Sequence, residues 1–307
     1  MKTTRRLIVL GIAGLPAAAR AAPPLVAAPD RVEPFTPALQ ERLFGQRMPF
    51  LATFRREDYR LGFAAVTHST DADGPTFRTI RTAFGRIRPR RVILEGFPAA
   101  WGDNPRQIVS LARAPAGQGA DSYARGEAVH AAALALARRI PFAGGEMRES
   151  ELVDLLAGQG FTRSDLLNVM LIKVLEQDMR GGVFSRPSGA AFEAAFARWA
   201  PMLAETHGVD APTVEGFGAW FRTAFGTALG ADETWYRRGW PMGDGIGGRI
   251  AQAQSLARDR FLYGQIIAAL NRAGRVLVVY GGSHLAGTWR ALAHALGEPE
   301  LSGPPSG

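Results

Sequence analysis

The segment Arg275-Val276-Leu277-Val278-Val279-Tyr280, closed by Gly281-Gly282-Ser283-His284, constrains the fold of this chain more than any other. Val276 to Tyr280 leave no polar face, so the run reads as a strand buried on both sides. A strand of that kind belongs to a sheet covered by helices on each face. The glycines that follow deliver a histidine to a tight turn at its carboxyl end, the edge where open α/β sheets bind ligands. Far upstream, Leu61-Gly62-Phe63-Ala64-Ala65-Val66-Thr67-His68 is a second buried strand that also closes on a histidine.

Two further short runs share this design. Arg91-Val92-Ile93-Leu94-Glu95-Gly96 and Ile140-Pro141-Phe142-Ala143-Gly144-Gly145-Glu146 each bring a carboxylate to a strand end. Helical periodicity separates them, over 75–84 and roughly 123–139. From about 149 to 229 helices dominate, with Ser150 and Ser164 as the expected N-caps and Leu166, Leu167, Met170, Leu171, Val174 and Leu175 as an apolar stripe. A long helix over about 247–273 leads into the His284 strand, and a last helix covers about 285–296. The breaker-rich loop Gly239 to Gly245 is placed to cap the site. Strand–helix alternation requires crossover connections and hence parallel neighbours. The expected fold is therefore α/β: a mostly parallel central sheet flanked by helices, with a helical insertion at about 149–245.

The expected organisation is a signal peptide at 1–21, a flexible Ala/Pro-rich leader at 22–38, one α/β domain at 39–297 and a disordered tail at 298–307. Lys2, Arg5 and Arg6 precede the apolar run Leu7 to Leu15, and Ala19-Arg20-Ala21 fits a small-residue cleavage site. The apolar run is shorter than the roughly 20 residues that span a bilayer, so no transmembrane anchor is expected in the mature chain. Thr4-Arg5-Arg6-Leu7-Ile8 also carries the adjacent arginines of twin-arginine export, and periplasmic or secreted localisation follows. The formal charge of +8 loses half its excess with the four basic residues of that segment, and the rest is scattered arginine without a basic run. No nucleic-acid site is read from it. The chain has no cysteine, which excludes disulfides, thiol catalysis and thiolate metal sites.

Four polar groups thus stand at strand ends: His68, Glu95, Glu146 and His284. Two imidazoles with a carboxylate are a ligand set for Zn, Mn, Fe or Co, and a carboxylate outside the set can act as general base. His68, Glu95 and His284 are the expected metal ligands, with Glu146 assisting. Each residue also has a plainer reading, as a hydrogen-bonded strand end or a helix-capping acid. His130, His207 and His294 read as helix-surface or core residues. No Gly-x-Ser-x-Gly elbow supports a serine nucleophile, and Gly243 to Gly248 lacks the strand and Lys-Ser/Thr ending of a phosphate loop. On the helix before the last strand, Arg258 and Asp259 point about 100° apart and cannot share one buried stripe. An arginine there can hold an acidic ligand or bind a substrate anion.

Together these elements resemble the TraB/GumN and TIKI proteins, and more loosely the erythromycin-esterase-like and ChaN-like groups. In that superfamily two Gly-x-x-His motifs at strand ends frame the chain, with a strand-end Glu and a helical Arg-Asn or Arg-Asp between them. Gly281-Gly282-Ser283-His284, Glu95 and Arg258-Asp259 match, whereas Ala65-Val66-Thr67-His68 has Ala where the motif has Gly. The resemblance spans about 58–297 and implies a metal-dependent hydrolase acting on a peptide or on a small ester or amide. Divalent Zn, Mn or Co would be its cofactor, with Glu95 and Arg258 in catalytic roles; Glu146, which matches no motif of the superfamily, is expected to join them from its own strand-end position. The ChaN-like branch implies the alternative, haem or metal uptake without catalysis, and a degenerate, purely binding member is a third expectation.

Overall fold

The computed structural model describes residues 23–45, 48–114 and 126–303. The expected signal peptide lies outside the described residues. A mixed sheet of six strands carries helices on both faces, in the order β4-β3-β5-β2-β1-β6. The strands are β1 (Phe50–Arg56), β2 (Tyr59–Val66), β3 (Arg91–Pro98), β4 (Phe142–Glu146), β5 (Arg275–Gly281) and β6 (Glu300–Ser302). β2, β5, β3 and β4 run parallel, so their carboxyl ends share one edge. β1, which the sequence reading did not anticipate, joins β2 antiparallel through a two-residue turn at Glu57-Asp58, pairing Arg56 with Tyr59.

Strand β5 feeds two cores by simple alternation. Val276, Val278 and Tyr280 join Leu61, Phe63 and Ala65 on one face. There they meet α9 (Gly245–Ala273) and α10 (Gly282–Leu296) through Tyr263, Ile266, Leu285 and Leu292. Leu277 and Val279 join Ala64 and Val66 on the other face. They pack on α2 (Pro75–Ile87) and α4 (Glu127–Ala137) through Ile80, Phe84 and Ala131. Each fully buried Val or Leu contributes on the order of 1.5–3 kcal/mol, which is why no polar residue interrupts β5.

The remaining helices are α1 (Pro37–Phe44), α3 (Arg106–Arg113), α5 (Glu149–Gly158), α6 (Arg163–Arg180), α7 (Ala190–His207) and α8 (Val214–Phe225). The last four, with a turn at Trp235–Gly239, form the helical insertion around an aromatic core of Phe192, Phe196, Phe217, Phe221 and Trp235. A smaller cluster of Leu152, Leu166, Val169, Ile250 and Ala257 joins this layer to α9. The expected caps need correction. Ser150 and Ser164 lie inside α5 and α6; Arg148 and Thr162 hold the N-cap positions, and Thr162 accepts from the Asp165 amide at 3.1 Å.

Two terminal expectations are also corrected. The described part of the supposed flexible leader is docked: Leu25 and Val32 are buried in the core, and Asn271 bonds both the amide and the carbonyl of Leu25 at 2.8 and 2.9 Å. Ala/Pro composition suggested mobility, but two apolar anchors and one amide side chain outweigh it. The supposed disordered tail pairs through β6 with β1 as far as Ser302. The loop expected to cap the site packs against α6 and α9, with Trp240 Nε1 donating to Glu176 at 2.8 Å. Glycines of α9 let it approach: a side chain at Gly247 or Gly248 would overlap the carbonyl of Arg238 or Gly243.

Candidate active site

The carboxyl edge of the parallel strands gathers the four strand-end residues, with Arg258 of α9 beside them. Across the edge stand Glu146 ending β4, Glu95 on β3, His284 following β5 and His68 following β2. His284 is the third residue of α10, so the Gly281-Gly282 step turns the strand directly into a helix.

His68 lies two residues beyond β2, in a loop tied to α2 by the Thr76 hydroxyl, which donates to the Thr67 carbonyl at 2.9 Å. Its Nδ1 is 2.6 Å from Glu127, the first residue of α4, and the other Glu127 oxygen accepts from the Ser69 amide at 3.3 Å. A carboxylate at a helix N-terminus also has the helix dipole in its favour. The Glu127 hydrogen bond lifts the His68 pKa to about 8; partial burial opposes it and the charge of Glu95 reinforces it. The His68 side chain remains 75% exposed, so the cleft opens to solvent on this side.

Glu95 accepts from the Gly281 amide at 2.6 Å and lies 3.5 Å from His284 Nε2. Burial alone would raise its pKa, but the His284 hydrogen bond and charge, with His68 and Arg258, hold it down to about 2. On the other side of the imidazole, His284 Nδ1 is 2.5 Å from Asp259. Burial would lower His284, yet Asp259 and Glu95 together raise it to about 10, so the ring is an imidazolium at neutral pH and donates through both nitrogens. Asp259 is fully buried, while the neighbouring Arg258 turns toward the cleft, as their angular separation on α9 requires.

Arg258 grips Glu146 with two bonds, Nε to Oε2 at 2.9 Å and Nη2 to Oε1 at 2.8 Å. This planar fork is the strongest form of Arg–carboxylate contact. Burial pushes the Glu146 pKa up, but Arg258 outweighs it and holds the group below its ordinary range.

Among the described residues, His68, Glu95 and Glu127 offer ligand atoms that all lie within 4.8 Å of one another and could hold a metal ion. The structure thus brings two of the three expected ligands, His68 and Glu95, into one group, whose third member is Glu127, and sets His284 against Glu95. Sequence reasoning missed Glu127 because a first-turn glutamate has no motif around it and its helix meets the site only in three dimensions. The other histidines lie elsewhere: His207 is buried in the helical layer, bonded to the Leu203 carbonyl at 2.7 Å, and His130 packs on Phe77. Comparison of the chain with protein families, curated proteins and solved structures finds no match.

Proposed function

We propose that the chain is an exported, metal-dependent hydrolase of the TraB/GumN–TIKI kind, cleaving an amide or ester bond at the carboxyl edge of its sheet. The observation that carries this reading is the convergence of His68, Glu95 and Glu127 within 4.8 Å. One imidazole and two carboxylates suit a borderline or hard divalent ion such as Zn, Mn or Co. When bound, such an ion supplies Lewis acidity and a water of lowered pKa.

The chain's own residues supply the rest. Asp259 orients His284 and keeps it charged, and His284 in turn fixes the Glu95 carboxylate. Glu146 holds the Arg258 guanidinium beside Glu95, where it can bind a substrate anion or a developing oxyanion. The open face at His68 admits the substrate.

The test is metal analysis of the purified mature protein, alongside peptide and ester hydrolysis assays. The expected result is about one divalent ion per chain, lost together with hydrolysis in His68→Ala. Absence of both metal and hydrolysis in the wild-type protein would overturn the reading. A Soret absorbance would move it to haem binding.

A further inference from the structure

Only two lysines occur in the chain, Lys2 and Lys173, against a background of arginine. Lys173 lies on α6, on the face that carries Leu166 and Val169 against α9, and its ammonium donates to Gln254 Oε1. Gln254 precedes Arg258 by four residues on α9, so the two side chains share one face of that helix. The Lys173–Gln254 bond therefore sets a second cation beside the one that faces Glu95.

Neither cation has its hydrogen-bonding capacity filled. Arg258 spends Nε and Nη2 on Glu146, and 36% of its side chain remains exposed. Lys173 has no carboxylate within ion-pair distance among the described residues. Glu176, the nearest acid on its own helix, is already bound by Arg180 and Trp240. Glu149 is felt electrostatically but is not paired with it. Burial, and after it the charge of Arg258, lowers the Lys173 pKa to about 8 against the opposing pull of Glu149 and Glu176.

We propose that Lys173 and Arg258 form a recognition site for a substrate carboxylate beside the candidate metal centre. The charge count favours a monoanion. Glu146 offsets Arg258 and Glu149 partly offsets Lys173, while Glu95 and Glu146 repel a doubly charged phosphate. Lys173 contributes its unused ammonium donors and Arg258 its Nη1. The hydrolase reading fixes only what happens to the bound molecule; the subsite itself rests on these two cations.

The experiment is calorimetric titration of the mature protein with N-acetylglycine and with N-acetylglycinamide, which differ in the carboxylate alone. The same samples are analysed for metal and checked by circular dichroism. The wild-type protein is expected to prefer the acid by about tenfold, the worth of a charge-assisted hydrogen bond. Lys173→Met and Lys173→Gln should lose the preference, and Lys173→Arg should keep it. Two lysine substitutions guard against one failing to fold. Equal affinity for both probes in the wild-type protein, or an undiminished preference in folded Lys173→Met, overturns the subsite. Inorganic phosphate binding more tightly than N-acetylglycine overturns the carboxylate assignment. A protein without metal and without hydrolytic activity that still shows the Lys173-dependent preference would sink the hydrolase reading and leave the subsite standing.

Discussion

Asp259 Oδ1 lies 2.5 Å from His284 Nδ1, and the carboxylate has no exposure to solvent at all. This contact locks α9 to the start of α10 beneath the candidate site. Burial pushes the Asp259 pKa up, and the charge and hydrogen bond of His284, with Arg258 and Ser255, oppose that shift. Asp259→Asn keeps the shape and removes the charge, leaving His284 facing Glu95 alone. Removal of one partner from a buried pair is among the costlier single changes, so a loss of about 3–5 kcal/mol is expected, read from urea unfolding at neutral pH. An unchanged midpoint would show that Asp259 is not the counter-ion of His284.

Gly287, one turn after His284, lets Asp259 come that close. A β-carbon at this position would overlap Asp259 Oδ2 and approach the Glu33 carbonyl at 3.2 Å. The same backbone also receives the N-terminal segment, since the Gly287 carbonyl accepts from the Glu33 amide at 3.0 Å. Alanine normally favours a helix over glycine by about 1 kcal/mol, so a neutral helix site would gain stability from Gly287→Ala. Here overpacking is expected to reverse the sign, with a net loss of about 1–3 kcal/mol in a thermal or urea melt.

The parallel strands were legible because burial on both faces forces an uninterrupted apolar run, and β2, β3 and β5 each have one. Their carboxyl-end residues were legible for the same reason: a polar group closing such a run has to face the sheet edge. β1 was not. Its pattern Phe50-Leu51-Ala52-Thr53-Phe54-Arg55-Arg56 carries a polar threonine and a charged end, and its place is set by hairpin pairing with Tyr59–Val66. Glu127 was illegible for a different reason. Its partnership with His68 spans 59 positions in the chain, and no local spacing encodes it. The docked N-terminal segment was misjudged from composition because Leu25 and Val32 are only two anchors in a polar and proline-rich stretch.

Glu127 is the member of the candidate centre that can be altered most cleanly. It sits at the first position of α4, so Glu127→Gln preserves packing and helix start while removing one anionic oxygen ligand. The expected outcome is a fall in divalent-metal affinity of at least about 10–100-fold, the size of losing an outer-shell partner, followed by competition with a chelating dye. Folding should be affected by no more than about 1 kcal/mol, because the amide still offers an acceptor to Ser69. Retention of full metal affinity would remove Glu127 from the ligand set.

His130 supplies a pH dependence that is separate from the candidate site. Its ring packs against Phe77 at 4.6 Å, and Nε2 is buried without a hydrogen-bond partner. Burial, helped by the charge of Arg81, pushes its pKa down to about 4. In the unfolded chain the group titrates near 6.5. Between those values the unfolded state binds a proton that the folded state refuses. Stability from this residue is therefore complete above about pH 6.5 and is lost as pH falls toward 4. The ring is partly exposed, so solvent screening limits the loss at pH 5 to about 1 kcal/mol. His130→Gln cannot titrate, and the difference in urea midpoint between pH 7 and pH 5 should be smaller in this variant than in the wild-type protein. An identical pH dependence in the two proteins would show that His130 is protonated as readily when folded as when unfolded.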